Sequence, residues 1–474
     1  MTPDEPRGSA VAIVGGGFSG LLVAVQLFRN GFRGRITVIE PRDRLGSGLA
    51  YSTPFDQHLL NVPAGKMSAL AGQPAHFLEW LRAHHWPHAE ADSFAPRKLY
   101  GEYLRDLLRE TISVNGSVGN NDRFRHIRAE VVGIRIESGV ARLALSDGGA
   151  VHAEKVVLAL GNPASSSEPD RSRHGMEGRW QPSPWFGDAL KVRFAGERIL
   201  ILGTGLTAVD SVLALKHQSA PCEITMLSRR GVLPQVHDLR VSALKSPPLL
   251  KGGNLRLMTR ELRSYIEAAH ESGLSWRVVV DALRPVSNDL WRGLSAADKA
   301  RFLRHLKTYW EPHRHRMAPE IRARLDEYRA SGALQIVAGR IRAMHNRGDA
   351  TTVGIRLKGG WEHELDVNRI ISCTGIQENY AGASRPLIGS LIEHGLARAN
   401  HLGIGFRTDE HGALQGENPS HPSRLFTIGP PRRGELFETT AVPEIRVQAE
   451  ELARYLVRLT SGSPSQDGRG NQIE

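Results

Sequence analysis

The chain contains two strand–turn–helix units in which a short apolar run leads directly into a glycine-rich turn. In the first unit, residues 11–14 form a predicted buried strand, and residues 21–28 carry apolar side chains at helical spacing. The turn between them has the pattern Gly-x-Gly-x-x-Gly, with its glycines at Gly15, Gly17 and Gly20. A dinucleotide-binding fold needs them for the tight turn, for close approach of the backbone to a pyrophosphate, and for packing of the helix on the strand.

A second apolar run, residues 35–39, ends in Glu40. A carboxylate about 20 residues after the last glycine accepts hydrogen bonds from the ribose hydroxyls of an adenosine. The glycine-rich loop that follows, residues 41–48, is typical of FAD sites. We therefore predict an FAD site, to which the turn, this loop and later strand ends also contribute Phe18, Ser19, Arg42, Gly48, Ala50, Val131 and Gly161.

The second unit begins with an apolar run at residues 198–202. Its turn comprises Gly203, Gly205, Leu206, Thr207 and Ala208, and the alanine replaces the third glycine, as this fingerprint permits. The next predicted strand, residues 223–227, ends in a hydroxyl and two arginines rather than in a carboxylate. These pattern elements predict a second dinucleotide site.

The residues that follow this strand are Ser228, Arg229 and Arg230. A carboxylate would repel a 2′-phosphate at this position, whereas a hydroxyl and guanidinium groups bind it through charge-assisted hydrogen bonds. The second site is therefore predicted to take NADPH. The alternative is that the two arginines are an ordinary solvated surface pair.

Each half of the chain closes in a similar way, with an excursion of two or three strands and then an apolar strand that ends at a glycine, Gly161 or Gly375. This internal repeat predicts an α/β protein with two Rossmann-like dinucleotide-binding domains in tandem. We expect a discontinuous FAD domain (residues 1–165 and 376–474), a linker (166–196) and an NADPH domain (197–375). The NADPH domain is expected to contain a helical insertion at about residues 235–331.

The predicted insertion has a helix over residues 255–270 and another that Ser295 caps. A basic stretch follows, in which His313, Arg314 and His315 are candidates for binding an anionic substrate. The two histidines lack a nearby cysteine or acidic partner, so the pattern is poor evidence for zinc and we predict no metal. A solvated basic turn is the alternative interpretation of this stretch.

The charge balance is +11, from 61 lysines and arginines against 50 acidic residues, and it suggests a nucleic-acid or anionic-membrane partner. However, the positive charge is dispersed, nucleic-acid-binding motifs are missing, and no apolar run reaches the roughly 20 residues that span a bilayer. Only two cysteines occur, Cys222 and Cys373, and they are far apart. We therefore expect a cytoplasmic protein with a small-molecule substrate, no nucleic-acid or membrane partner, and no disulfide framework or redox-active dithiol.

These motifs together resemble a family of bacterial FAD/NAD(P)-binding proteins, related at the level of fold to flavin-containing and N-hydroxylating monooxygenases. Residues 11–20, 48–53, 60–64, 96–101, 228–231, 313–316 and 429–446 carry the resemblance. It implies that Asn61 and Val62 lie beside the isoalloxazine ring and that Gly429, Thr439 and Thr440 close the flavin site. Such flavoproteins often form homodimers. The histidine-containing fingerprint of the monooxygenases is incomplete here, at residues 174–180.

The expected function is that of an FAD-dependent oxidoreductase that takes hydride from NADPH and delivers electrons to oxygen and a small polar substrate, hence a monooxygenase. N-hydroxylation of a small amino acid is the first assay that the resemblance suggests. Two alternatives stay open at this point. One is an NADPH-dependent flavin reductase or dehydrogenase without oxygenation, and the other is a flavin-bound electron-transfer or sensor protein that acts through a partner. The sequence identifies no acid or base catalyst.

Overall fold

The protein is described by a computed structural model that covers residues 10–116, 123–162, 178–185, 187–239, 244, 246–375, 380, 385–417 and 424–460. Residues 166–177 and 186 of the predicted linker lie outside these ranges, and they include residues 174–177 of the incomplete monooxygenase fingerprint. Within them, every helix is either too short or too polar to reach across a membrane.

The first sheet consists of five parallel strands. The connections between these strands are long enough to cross over and return the chain in the same direction. Its strands are β1 (Ala10–Val14), β2 (Arg35–Ile39), β3 (Phe124–Ile127), β7 (Lys155–Leu158) and β15 (Leu425–Thr427). Their order from edge to edge is β3, β2, β1, β7, β15. A strand from the C-terminal part of the chain thus joins the N-terminal sheet, while the domain boundaries stay a prediction.

Helices and a small sheet cover the two faces of this first sheet. The helices of the domain are α1 (Phe18–Arg29), α2 (His76–His84), α3 (Arg97–Gly116), α11 (Pro386–Glu393) and α12 (Val442–Thr460). On one face, α1 packs against both α3 and α12. On the other face lies an antiparallel sheet with α11, made of β4 (Val131–Glu137), β5 (Val140–Leu145) and β6 (Ala150–Ala153).

The second sheet repeats the plan of the first and extends it. Its strands are β8 (Trp180–Gln181), β9 (Glu197–Leu202), β10 (Cys222–Ser228), β11 (Leu334–Arg347), β12 (Ala350–Leu357), β13 (Glu362–Val367) and β14 (Arg369–Ser372). The parallel part has the order β11, β10, β9, β14, β8, and the long β11 continues into an antiparallel meander with β12 and β13. Helices α4 (Leu206–Lys216) and α10 (Pro319–Ala330) contribute to the core on one face. The predicted pair of Rossmann-like folds is therefore confirmed.

The two glycine turns have the same backbone geometry. Gly15 has φ of +100°, and a Cβ built on it would lie 2.5 Å from the carbonyl oxygen of Ala159, which directly follows β7. Gly203 has φ of +118°, and its Cβ would lie 2.4 Å from the carbonyl oxygen of Cys373, which directly follows β14. Both positions exclude a side chain for the same two reasons, positive φ and close backbone packing.

A helical insertion lies between β10 and β11. It comprises α5 (Leu255–Glu271), α6 (Trp276–Ala282), α7 (Ser287–Gly293), α8 (Ala296–Arg301) and α9 (Lys307–Arg314). The Asp298 amide donates to Ser295 Oγ over 3.1 Å, so the predicted capping serine is confirmed. The sequence predicted that this helix runs on to residue 306. Instead, residues Phe302–Leu306 form a π-helical turn that joins α8 to α9.

Candidate functional site

A cavity of about 700 Å³, which we call the large cavity, lies at the carboxyl ends of the first sheet's central strands. This is where open parallel sheets bind ligands, because the helix N-termini and the connecting loops meet there. The predicted cofactor-binding residues that line the cavity are Gly15, Gly17, Phe18, Ser19, Glu40, Arg42, Gly48, Ala50, Val131, Gly161, Thr207 and Thr440. The structure thus brings together residues that are scattered over most of the chain.

The carboxylate of Glu40 is buried and held in place by two backbone amides. Gly16 N–H donates to its Oε2 over 2.9 Å, and Arg42 N–H donates to its Oε1 over 3.2 Å. A carboxylate oxygen has more than one acceptor position, so these bonds leave capacity for a ribose hydroxyl. The geometry fits the adenosine-binding role predicted for Glu40.

The start of α1 offers a cradle for a pyrophosphate. Gly17 occupies the N-cap position, and no side chain caps the free amides of the first turn. A Cβ on Gly17 would lie 3.4 Å from the Cα of Gly48, so glycines on both sides keep this gap open. Gly20 packs the helix onto the turn, since its Cβ would lie only 1.9 Å from the Gly15 carbonyl oxygen. Free amides at a helix N-terminus stabilise an anion, so the residues present fit the diphosphate of FAD.

The second glycine turn has the same relation to α4. Gly205 is the N-cap residue, and a Cβ built on it would meet no atom within 4 Å, so the backbone is open to a ligand. Ser228 lies beside this turn because its Oγ is 3.0 Å from Thr204 Oγ1 and accepts a bond from the Gly231 amide. Gly375, with φ of +105°, follows β14 at the same end of the sheet. The predicted 2′-phosphate position therefore lies next to the predicted pyrophosphate position.

The two arginines after Ser228 differ in their surroundings. Arg229 is exposed, whereas Arg230 is half-buried and its guanidinium lies 4.6 Å from the ring centre of Tyr309 in the helical insertion. This cation–π contact orients one arginine while the other stays solvated.

Four of the residues that the resemblance assigned to the flavin are not among the residues that line the cavity, namely Asn61, Val62, Gly429 and Thr439. The main-chain oxygen of Asn61, which precedes Val62, accepts a 3.0 Å bond from His237 Nε2. Thr439 is fully buried, and its hydroxyl donates to the Gly429 carbonyl over 2.9 Å and accepts from Gln448 Nε2 over 2.9 Å. Thr439 therefore fastens Gly429 to α12, and its neighbour Thr440 is the residue that faces the cavity.

The basic stretch of the insertion is packed into the protein, so the interpretation as a solvated turn is wrong. Arg314 forms bonds of 2.8 and 3.1 Å to the carboxylate of Glu438, and both side chains are buried. Burial and the guanidinium groups of Arg314, Arg433 and Arg284 lower the pKa of His315 to about 3. His313 Nδ1 lies 2.7 Å from the Tyr309 carbonyl oxygen. The described residues contain no cluster of histidine, cysteine and acidic side chains that could hold a metal.

Sequence reasoning missed several residues that line the large cavity. Arg97 is the main one, and its guanidinium forms a 2.7 Å ion pair with Asp210 of α4, across the two domains. His58 Nε2 donates to the Asp210 carbonyl oxygen over 2.8 Å, and burial lowers the pKa of this histidine. Trp185 and Arg385 also line the cavity. Arg97 belongs to one of the stretches that carry the resemblance, but no chemical pattern marked it.

Known proteins share both the first domain and the overall fold. The sequence model of an FAD-NAD(P)-binding family matches residues 12–163. The uncharacterised protein YdhS of Escherichia coli (strain K12) is 23% identical over an alignment of 321 positions, and the match covers 58% of this chain and 57% of YdhS. The chain thus spans little more than half the length of that relative.

Two solved structures illustrate the similarity of fold. The ornithine hydroxylase of Pseudomonas aeruginosa superposes with a TM-score of 0.62 at 15% identity, over 95% of this chain and 99% of that one. The L-lysine 6-monooxygenase of Pseudomonas syringae superposes with a TM-score of 0.62 at 16% identity, again over 95% and 99%. Residues 12–163 are therefore an FAD/NAD(P)-binding domain, and the chain as a whole has the fold of flavoproteins with two dinucleotide-binding domains.

Proposed function

We propose that the protein is an FAD-dependent monooxygenase that uses NADPH as its electron donor. The observation that carries the proposal is the extent of the large cavity, which reaches from Gly17 and Glu40 in the first domain to Thr207 at the start of α4 in the second. The cavity therefore extends from the predicted FAD site to the helix that begins at the second glycine turn. Hydride transfer between two cofactors requires a common space, because the donor and acceptor atoms must come into contact.

When bound, FAD supplies the redox chemistry: it accepts hydride and reacts with oxygen. The chain's own residues bind and orient the two dinucleotides. The free amides at the N-termini of α1 and α4 stabilise the phosphates, and Glu40 accepts from the adenosine ribose. Ser228, Arg229 and Arg230 provide one hydroxyl and two positive charges for the 2′-phosphate that distinguishes NADPH from NADH.

The overall reaction balances as NADPH, a proton, oxygen and the substrate giving NADP⁺, water and a hydroxylated product. Two electrons from NADPH reduce one oxygen atom to water, and the other atom enters the substrate. The solved structures of similar fold support oxygen transfer, since they include proteins named as an ornithine hydroxylase and a lysine monooxygenase. N-hydroxylation is accordingly the first oxygen-transfer reaction to assay. Homodimerisation stays a prediction.

The test is spectroscopic. The purified protein should contain FAD, and anaerobic NADPH should bleach the flavin absorbance near 450 nm, at least tenfold faster than NADH does at equal concentration. Admission of air should then reoxidise the flavin, and a true substrate should yield hydroxylated product in proportion to the NADPH consumed. Protein without FAD, or FAD that stays oxidised, would overturn the proposal. Electron delivery to an artificial acceptor without any oxygenated product would favour a reductase. Very slow turnover with a stable protein complex would favour an electron-transfer or sensor role.

A further inference from the structure

A second cavity, also of about 700 Å³, lies within the helical insertion, and we call it the insertion cavity. Side chains of α5, α6, α7 and α9 and of the π-helical turn surround it, and Phe437 from the C-terminal part of the chain closes one side. Its size is in the range of cavities that bind small molecules. The dinucleotide sites do not account for it, because its lining has no residue in common with the large cavity.

The walls of the insertion cavity are mostly apolar, and the polar side chains among them are Thr259, Arg263, Ser287, Tyr309 and His313. The apolar side chains include Trp276, Trp291, Trp310, Phe302 and Phe437, together with leucine, isoleucine, valine and methionine side chains. Trp291 stacks on Phe437 with ring centroids 4.9 Å apart, and Phe302 meets the same ring edge-on at 5.2 Å. Aromatic side chains that are packed against one another in this way lose little conformational entropy when they bind an apolar ligand.

Several polar groups of the lining are already bonded to the protein. The Thr259 hydroxyl donates to the Leu255 carbonyl over 2.7 Å, and the Ser287 hydroxyl donates to the Leu283 carbonyl over 2.8 Å. The Trp291 N–H donates to the Gly434 carbonyl over 3.1 Å. These groups have no free hydrogen left for a ligand.

Charged side chains are also scarce in the lining of the insertion cavity. Among the described residues that line the insertion cavity there is no aspartate or glutamate, so an ammonium group inside it would have no counter-ion. Arg263 is an exposed side chain, and its charge therefore belongs to the outer edge of the cavity. Burying an unpaired amine or amino acid in this environment would be strongly unfavourable.

The insertion cavity lies close to both predicted cofactor sites. Phe437 lines it, and Thr440, three residues later, lines the large cavity. Three residues span at most about 11 Å, so a short segment separates the two spaces. On another side, Tyr309 lines the insertion cavity and stacks on Arg230 of the predicted NADPH site.

We propose that the insertion cavity holds the apolar part of the substrate, an aromatic or aliphatic group, while the reacting atom of the substrate reaches past residues 437–440 to the flavin site in the large cavity. This inference rests on the proposed monooxygenase function, whose oxygen transfer needs a substrate site beside the flavin. It replaces the small polar or anionic substrate expected from the resemblance and from the basic stretch. Arg314, the strongest anion-binding candidate of that stretch, is neutralised by Glu438.

The test measures binding in the flavin-loaded protein without NADPH, so that no turnover is needed. The probe is N-phenyl-1-naphthylamine, a neutral aromatic compound whose emission rises in an apolar site. Met258→Trp on α5 fills the insertion cavity. Arg260→Trp on the same helix is the matched control, because Arg260 is exposed and outside the lining. Leu290→Trp on α7 is a second filling variant, should Met258→Trp fail to fold.

We expect saturable binding of one probe per chain, weakened at least tenfold by either filling variant and unchanged by Arg260→Trp. Apolar compounds that displace the probe should accelerate NADPH oxidation in the wild type and not in the filling variants, while all variants keep their FAD and its reduction by NADPH. Equal probe binding in the wild type and the filling variants would overturn the proposal. So would ornithine or cadaverine accelerating NADPH oxidation equally in both. If NADPH does not reduce the flavin of the wild-type protein, the monooxygenase function is refuted, whether or not the probe binds.

Discussion

The guanidinium of Arg314 holds the carboxylate of Glu438 through two hydrogen bonds, with side chains that are only 8% and 4% exposed. Arg314 ends α9 of the helical insertion, and Glu438 directly precedes the buried Thr439. A second ion pair joins the insertion to the start of α12, and in it Arg284 Nη2 donates to Glu444 Oε2 over 2.8 Å. These ion pairs therefore help to attach the insertion to the segment that closes the large cavity.

Removal of one partner of the Arg314–Glu438 pair should be strongly destabilising. Arg314→Ala leaves a buried carboxylate without its counter-ion, and the expected loss is about 3–5 kcal/mol in the free energy of unfolding. Urea denaturation followed by tryptophan fluorescence measures it. Arg292→Ala removes an exposed arginine paired with Asp289 and should cost less than about 1 kcal/mol. Similar losses in both variants would show that the burial of the first pair has no energetic consequence.

The carboxylate of Glu40 should contribute to FAD affinity. Glu40→Gln keeps the side-chain shape but replaces a charged acceptor with a neutral amide, so FAD should bind roughly 10–100-fold more weakly. Titration of the apoprotein with FAD, followed by flavin fluorescence, measures the change. Glu130→Gln is the matched control, because Glu130 lines the same cavity but is exposed. An equal loss in the control would assign the effect to the general charge of the cavity.

Arg229 and Arg230 should determine the preference for NADPH. The double variant Arg229→Ala with Arg230→Ala loses both charges that can pair with the 2′-phosphate, so the KM for NADPH should rise at least tenfold while that for NADH changes little. Initial rates of flavin reduction with each nucleotide give the comparison. Arg198→Ala, on the exposed side of β9, is the control. If NADPH and NADH are affected equally, the two arginines are a surface pair.

His237 should make the protein less stable in mild acid. Burial, together with the guanidinium of Arg316, lowers the pKa of His237 to about 4, whereas a histidine in an unfolded chain has a pKa of about 6.5. Between these values the unfolded chain binds a proton that the folded chain does not. The free energy of unfolding therefore falls as the pH falls, by at most about 1.4 kcal/mol per pH unit.

The measurement for His237 compares urea unfolding at pH 7 and pH 5. His237→Gln retains an N–H donor for the Asn61 carbonyl but cannot titrate, so the stability lost between these pH values should shrink by about 2 kcal/mol. The exposed His88→Gln controls for the loss of an imidazole. An unchanged pH dependence in His237→Gln would show that His237 is not responsible. Buried His58 and His315 should sustain the rest of the decline, because the pKa values of both are also lowered.

The local units of the fold were predictable from sequence. β2 was predicted at residues 35–39, and α5 at residues 255–270, within one residue of its end. The glycine turns were predictable for a different reason, since positive φ at Gly15 and Gly203 leaves little choice of residue. The cofactor roles themselves stay predictions, although the structure gathers many of the proposed residues around one cavity.

The sequence by itself determined the two strand–turn–helix units, because neighbouring residues set the backbone geometry and the apolar periodicity of each. Only the tertiary structure decided which charges are neutralised, since Arg314 and Glu438 are separated by 124 residues, and Arg97 and Asp210 lie in different domains. It alone also revealed the insertion cavity. An amphipathic pattern identifies the apolar face of a helix, but whether neighbouring helices fill the space beside that face depends on how they pack together.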